Sequence, residues 1–221
     1  MTMLSIRSIW NSPRIALATA IVSAAASFLA PTSASALEIR TVENSEATMS
    51  VVSLSGSIER GDAQRVQAHL AQMPRGRPIA VQLHSGGGSI DEALTMGLYF
   101  NANGIHTYVS GKGQRCLSAC ALAFLGGRDA TSGRTSHVKS TEAALGFQGI
   151  RTVVADAEFT VADMQRAFAN TQNTLLRITD YLVEVGADIE FLSLMLSAPH
   201  TKMNFVTNEK AAALGIHILR D

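Results

Sequence analysis

Three observations predict an α/β fold with a largely parallel sheet for this chain of 221 residues. Short apolar runs alternate with amphipathic segments from about residue 49 to the end, which is typical of strands alternating with helices. Two turns rich in glycine and serine follow successive predicted strands. No internal repeat or low-complexity linker divides the chain, so we expect a single domain with a long helix in its C-terminal half.

Each element is predicted from residue spacing and from turn residues. Alternating residues at 49–55 predict a strand, Gly61-Asp62 opens an amphipathic helix, and the apolar run 78–83 predicts a buried strand. Thr160 caps a helix that should run to about Val185. The remaining predictions are helices at 89–103, 117–125, 188–197 and 206–215, strands at 105–110, 145–152 and 216–219, a loop at 111–115 and irregular structure at 128–144.

Composition excludes several classes of protein. The chain has 18 basic and 18 acidic residues, whereas nucleic-acid binders usually carry a basic excess. Two cysteines are too few for a disulfide framework or for a zinc site of four cysteines. A hydrophobic fraction of 47% is too high for a disordered chain. We therefore expect a globular protein with no metal and no cofactor.

The first 36 residues have the three parts of a secretory signal peptide. Arg7 and Arg14 are basic and no acid is present, an apolar run covers 15–30, and small residues end in an Ala-x-Ala site at Ala36. A transmembrane anchor is the alternative, but the run is shorter than the ~20 apolar residues that a span needs. We expect cleavage after Ala36, a flexible segment at 37–49, a domain at 50–221 and a periplasmic or secreted product without a membrane anchor.

Two turns are candidates for chemistry. Gly86-Gly87-Gly88 lies between a predicted strand and a helix, where backbone N–H groups can approach an anion, although a tight turn without a ligand is the alternative. Ser118 lies at the start of an apolar helix, where the dipole favours a developing negative charge. An ordinary helix cap is the alternative for Ser118. Parallel strands would bring both turns to one sheet edge.

The order of these motifs resembles the Clp protease proteolytic subunit and its crotonase-type relatives. The residues are Gly56-Ser57-Ile58, the segment 83–90 around the three glycines, Cys116-Leu117-Ser118-Ala119-Cys120, Leu145-Gly146-Phe147-Gln148 and the closing segment 203–216. The resemblance covers about 50–218 and is closest to an exported branch with a Cys-x-Ser-Ala-Cys turn. It implies repeated β-β-α and β-α units and a homo-oligomer; we expect no ATPase partner outside the cytoplasm.

The resemblance also implies roles for individual residues. Ser118 matches the nucleophile, and Gly87 and Ala119 match the backbone donors of the oxyanion hole. Phe147 occupies the position of the catalytic His, and Met203, or Asn204 with a one-residue slip, occupies that of the Asp. Phenylalanine cannot accept a proton, so the catalytic triad is incomplete.

Three other residues are candidates for the missing base. His137 could be brought to Ser118 by a folded loop, His84 precedes the glycine turn, and Lys139 could support a Ser–Lys pair. For each of them, a surface residue without a catalytic role is the alternative. Cys116 and Cys120 bracket Ser118, and the sequence leaves open whether they form a disulfide or remain buried thiols.

The sequence therefore supports two functions. The first is an exported serine hydrolase or peptidase homologue that acts on peptide or other acyl substrates. The second is a catalytically inactive scaffold or binding protein of the same fold. Acyl-CoA chemistry, as in crotonases, is a third interpretation that the signal peptide disfavours.

Overall fold

A computed structural model describes residues 36–42, 48–150 and 160–220 of the chain. The predicted signal peptide lies outside the described residues, apart from Ala36. The described part contains nine strands and six helices, in the order β1 (Glu38–Val42), β2 (Ser50–Ser55), α1 (Asp62–Leu70), β3 (Ile79–His84), α2 (Ile90–Ala102), β4 (His106–Val109), β5 (Arg115–Leu117), α3 (Ala119–Phe124), β6 (His137–Ser140), β7 (Ala144–Phe147), α4 (Val161–Val185), α5 (Glu190–Leu196), β8 (Asn204–Phe205), α6 (Asn208–Ala213) and β9 (His217–Leu219).

The main sheet has six strands in the order β1-β2-β3-β4-β6-β9. β1 is antiparallel to β2, and every other neighbouring pair in this sheet is parallel. A second sheet has the order β5-β7-β8, with β5 parallel to β7 and β7 antiparallel to β8. The prediction of an α/β fold with a largely parallel sheet is confirmed.

Hydrophobic patterning accounts for the first half of this sheet. Alternate residues of β2 are buried, including Val52 and Leu54, as expected for a strand with one face toward the core. α1 turns Val66 and Leu70 inward, which is the face predicted from the sequence. The Ser89 hydroxyl accepts a hydrogen bond from the Glu92 N–H at 3.4 Å and so caps α2.

α3 lies at the centre of the core and positions the Ser118 turn. All six of its residues, from Ala119 to Phe124, are buried. Its C-terminal end closely approaches α2, since a Cβ on Gly126 would lie 2.2 Å from the Gly97 carbonyl oxygen. Tyr181 of α4 donates a hydrogen bond from Oη to the Leu122 carbonyl oxygen at 2.6 Å. α3 is therefore held from two sides.

The long helix α4 is only partly packed in the described structure. Thr160 and Asp163 form a capping box at its N-terminus, as the predicted Thr160 cap requires. The buried residues of α4 lie in its C-terminal half, from Ile178 to Val185. Met164 and Phe168, at the same helical spacing, are 54% and 65% exposed.

The sequence patterns miss or misplace four short strands. The segment expected to be flexible at 37–49 contains β1, an edge strand paired with β2. β6 lies inside the segment expected to be irregular, and β5 begins at the end of the predicted 111–115 loop. β8 is only two residues long. Strands of two to five residues carry too few residues for a periodic signal. No described helix is long and apolar enough to cross a membrane.

Candidate active site

Ser118 occupies a strained turn between β5 and α3. It is the only non-glycine residue among those described that has a positive φ, with φ 56° and ψ −125°. Its hydroxyl makes no capping hydrogen bond to α3, so the ordinary-cap alternative is wrong. A side chain in this conformation costs about 1–3 kcal/mol, and such strain is concentrated at functional sites. A strained strand-to-helix turn also exposes the nucleophilic serine in α/β-hydrolases.

A disulfide spans this turn. Of the two alternatives left open by the sequence, the structure has the Cys116–Cys120 bond, with Cα atoms 5.1 Å apart. Cys116 lies in β5 and Cys120 in α3, so the bond joins the strand to the helix across Ser118. Both cysteines are fully buried. The two ends of the turn are therefore covalently fixed.

The glycine turn packs directly against Ser118. A Cβ on Gly87 would lie 2.8 Å from both the Ser118 Cβ and the Leu117 carbonyl oxygen. Gly87 also has φ 105°, a conformation that favours glycine. The backbone bond from the Leu117 N–H to the Ser85 carbonyl oxygen, at 3.0 Å, ties the two turns together. The expected meeting of the two turns is thus observed.

The backbone donors near Ser118 differ from the expected pair in one respect. The Gly87 N–H donates to the Ser85 hydroxyl at 3.0 Å, so it is not a free oxyanion donor in this conformation. Ser85 is 3% exposed, and the sequence patterns do not predict this contact. The N–H groups of Gly88 and Ala119 have no acceptor within the described part of the chain. Ala119, at the first position of α3, keeps its expected place beside the serine.

The hydroxyl of Ser118 contacts an amide and, among the described residues, no base. Gln148 Nε2 donates to Ser118 Oγ at 3.2 Å. The parallel pairing of Leu117 with Gly146 places the residue after β7 beside the Ser118 turn. An amide does not accept a proton at neutral pH, whichever way its oxygen and nitrogen are assigned. Gln148 therefore orients the hydroxyl without activating it.

The residues at the expected His and Asp positions have packing roles. Phe147 is 1% exposed, and its ring lies 5.4 Å from that of Phe191. Asn204 pairs with Phe147 between β7 and β8, and its Nδ2 donates to the Leu194 carbonyl oxygen at 3.2 Å and to the Ser197 hydroxyl at 3.0 Å. The Met203 side chain packs on Gly146, since a Cβ added to Gly146 would lie 2.7 Å from the Met203 Cγ.

His137 lies at the wrong end of α3 to serve as the base. Its Nε2 contacts the Leu125 carbonyl oxygen at 2.8 Å, at the C-terminal end of α3, whereas Ser118 precedes the N-terminus. The side chain is 4% exposed, and burial lowers its pKa to about 4. The prediction of His137 as a substitute base is therefore wrong: the residue is a neutral core histidine in β6.

The other two candidates also have different partners. His84 Nδ1 accepts a hydrogen bond from the Arg115 N–H at 3.2 Å. Lys139 is 2% exposed, and its Nζ donates to Asn208 Oδ1 at 2.6 Å and to the Ser140 carbonyl oxygen at 3.0 Å. Neither contact involves Ser118, so neither residue is its base in this structure.

Known proteins add no family assignment to this geometry. No model of a known protein family matches the chain, and no curated protein is detectably similar to it. In the described residues, no group of three or more histidine, cysteine, aspartate or glutamate side chains is arranged to hold a metal ion. The chemistry is therefore argued from the Ser118 turn itself.

Proposed function

We propose that the chain is an exported Clp-protease-like serine hydrolase homologue, with Ser118 as its nucleophile and peptides or other acyl compounds as substrates. The observation that carries the proposal is the strained φ of Ser118 in a turn packed against Gly87. The conformation costs about 1–3 kcal/mol, and residues strained in this way cluster at active sites. The disulfide across the turn supports export, because such bonds persist in oxidising compartments.

In the proposed reaction, Ser118 Oγ attacks the carbonyl carbon of the substrate to give a tetrahedral intermediate. Collapse of this intermediate breaks the bond to the amine or alcohol, which leaves with a proton from solvent, and water then hydrolyses the acyl group from Ser118. The N–H of Ala119 is a free donor for the oxyanion of this intermediate, and the Gly87 N–H joins it if its bond to Ser85 opens. No base contacts the hydroxyl within the described residues, so the proton of Ser118 passes to solvent. We therefore expect slow acylation of Ser118 compared with an enzyme that has a complete triad.

Labelling with a fluorophosphonate tests this proposal, because the probe phosphonylates a nucleophilic serine with loss of fluoride. Its phosphorus is electrophilic enough to react with a slow nucleophile. Wild-type protein is expected to be labelled, and Ser118→Ala is expected to lose the label. Ser193→Ala, an exposed serine of α5, is the matched control and should keep it. Folded wild-type protein that carries no Ser118-dependent label would disprove the catalytic role.

A non-catalytic binding protein of the same fold is the second candidate function. The contact between Gln148 and Ser118 favours it, because the hydroxyl faces an amide where a hydrolase has a base. Phe147→His is the informative variant. If the folded variant hydrolyses a substrate and the wild type does not, the wild type is inactive because it lacks a base at position 147. Ready hydrolysis by wild type would eliminate this candidate. Circular dichroism checks folding, since Phe147 is in the core.

The homo-oligomer expected from the resemblance also stays a proposal. Val161, Met164 and Phe168 form an exposed apolar face on the N-terminal half of α4, and this face continues the spacing of its packed residues. Sedimentation velocity of wild type and Phe168→Asp measures self-association. The proposal requires an oligomer that the substitution weakens, and a monomeric wild type contradicts it.

A further inference from the structure

A polar cavity lies beside the glycine turn, and Gly87 is one of its lining residues. It has a volume of about 550 Å³, which is within the ~300–1,000 Å³ range of ligand sites. Three chain segments line it, with Ser55 and Ser57 from the end of β2, His84 and the glycine turn from the end of β3, and Arg115 from the start of β5. We call it the Arg115 cavity.

The charge of this cavity is one-sided. Arg115 contributes a guanidinium, and no aspartate or glutamate of the described chain lines the cavity. Arg115 is exposed, and its guanidinium has no ion pair or hydrogen bond with any described residue. An unpaired guanidinium presents a planar set of donors that matches a carboxylate in two-point geometry.

The neutral groups of the cavity are also suited to an anion. The Arg115 N–H donates to His84 Nδ1, so the neutral ring carries its proton on Nε2 as a further donor. The hydroxyls of Ser55 and Ser57 make no hydrogen bond within the described part of the chain. Donors therefore converge from three segments on a single space.

The position of the cavity connects it to Ser118. Gly87 lines the cavity, while a Cβ on this residue would lie 2.8 Å from the Ser118 Cβ. Only one glycine separates the two, so a peptide bound for attack by Ser118 can reach the cavity with a neighbouring group. We propose that the Arg115 cavity binds a carboxylate of the peptide substrate, an inference that rests on the proposed function at Ser118.

Binding of fluorescent peptides to full-length Ser118→Ala protein tests this inference without turnover. One peptide carries glutamate and an amidated C-terminus, a second has glutamine in its place, and a third is the glutamine peptide with a free C-terminal carboxylate. We expect the first or the third to bind at least about tenfold more tightly than the second, because hydrogen bonds to charged groups are the strong ones. Tighter binding of the first peptide identifies a side-chain carboxylate as the ligand, and tighter binding of the third identifies the C-terminal carboxylate.

Arg115→Gln should remove this preference. The matched control is Arg75→Gln. It removes the same charge from an exposed arginine that precedes the N-terminal end of β3, whereas the cavity lies at the C-terminal end, and it should change peptide affinity less than about twofold. Equal affinities for all three peptides, or equal effects of the two substitutions, would overturn the proposal. Arg115-dependent binding of inorganic phosphate without any peptide preference would overturn it as well.

Fluorophosphonate labelling separates this inference from the proposed function. Labelling of wild type compared with Ser118→Ala reports on Ser118 alone, because the probe has no carboxylate to occupy the Arg115 cavity. If labelling persists but peptide preference is absent, the carboxylate site is wrong and the hydrolase proposal stands. If Arg115-dependent binding is present without labelling, the hydrolase proposal fails and the cavity is a site on a binding protein, not a substrate subsite.

Discussion

Replacing Cys116 and Cys120 by alanine should destabilise the fold and relax the Ser118 turn. The disulfide joins β5 to α3, and its cysteines are separated by 4 positions in the sequence. Ser118, midway between them, has the strained φ of 56°. Without the bond, the turn is held by the packing of α3, by the 2.9 Å bond from the Ser118 N–H to the Gly146 carbonyl oxygen and by the Gln148 side chain on the hydroxyl.

The magnitude follows from the length of the closed loop. Chain entropy gives about 2 kcal/mol at 25 °C for a loop of about five residues, the short end of the range for disulfides. This contribution is similar to the cost of about 1–3 kcal/mol for the conformation of Ser118. The bond is therefore large enough to offset the strain of the turn that it spans.

Urea unfolding of three samples measures the effect: oxidised wild type, wild type reduced in the unfolded state and refolded, and Cys116→Ala/Cys120→Ala. With a slope of about 2 kcal/mol per molar urea, a loss of about 2 kcal/mol lowers the midpoint by about 1 M. Fluorophosphonate labelling should fall in both samples that lack the bond. The reasoning is refuted if reduced wild type keeps the oxidised midpoint, or if both samples lose stability but keep full labelling.

Three further predictions concern the surroundings of the site. Gly87→Ala should lower the free energy of unfolding, measured in urea, by about 1–3 kcal/mol more than Gly113→Ala does. Both positions have a positive φ, but only a Cβ on Gly87 would lie 2.8 Å from the Ser118 Cβ. Equal losses of stability in the two variants would contradict the packing of the two turns. Tyr181→Phe should cost about 1–2 kcal/mol by leaving the Leu122 carbonyl oxygen without its side-chain donor, whereas Tyr99→Phe, the matched control, should change the midpoint little. His137 has a pKa of about 4 in the folded protein against an ordinary value of 6.5. Its contribution to the free energy of unfolding is therefore full above pH 6.5 and is lost as the pH falls toward 4, by about 1.4 kcal/mol per pH unit. The urea midpoints at pH 7 and pH 5 should differ more for wild type than for His137→Phe, and identical differences would exclude a neutral buried histidine.

The site details implied by the resemblance to Clp proteases had different outcomes. The Ser118 turn lies against the glycine turn as expected, but not at the edge of one sheet. The preceding strands, β3 and β5, belong to different sheets, and an isolated parallel bridge between Ser85 and Cys116 joins the two segments. The motif position of Gly87 predicts a free donor, but the Ser85 hydroxyl two residues earlier occupies its N–H. Whether a backbone N–H is free depends on local side-chain orientation, for which a glycine motif carries no signal.

The missing base shows a different kind of limit. The presence of Phe147 at the expected His position is evident from the chain itself, whereas the contacts of the substitute candidates are not. His137 is ten positions before Phe147 and close in sequence to the site, yet the parallel pairing of β4 with β6 places it at the far end of α3. Proximity along the chain does not predict which end of a helix a neighbouring strand will meet.

The sequence by itself determined the α/β class, the larger strands and helices, the Ser118 and glycine turns and the substitution of the expected His by phenylalanine, because these depend on local spacing and residue type. Tertiary structure decided the rest. It formed the disulfide across Ser118, placed Gln148 on the hydroxyl, buried His137 and brought the ends of three strands around the Arg115 cavity. The disulfide joins cysteines only 4 positions apart and depends on the geometry of the turn between them. The other features depend on strand order and pairing between distant segments, which no local pattern encodes.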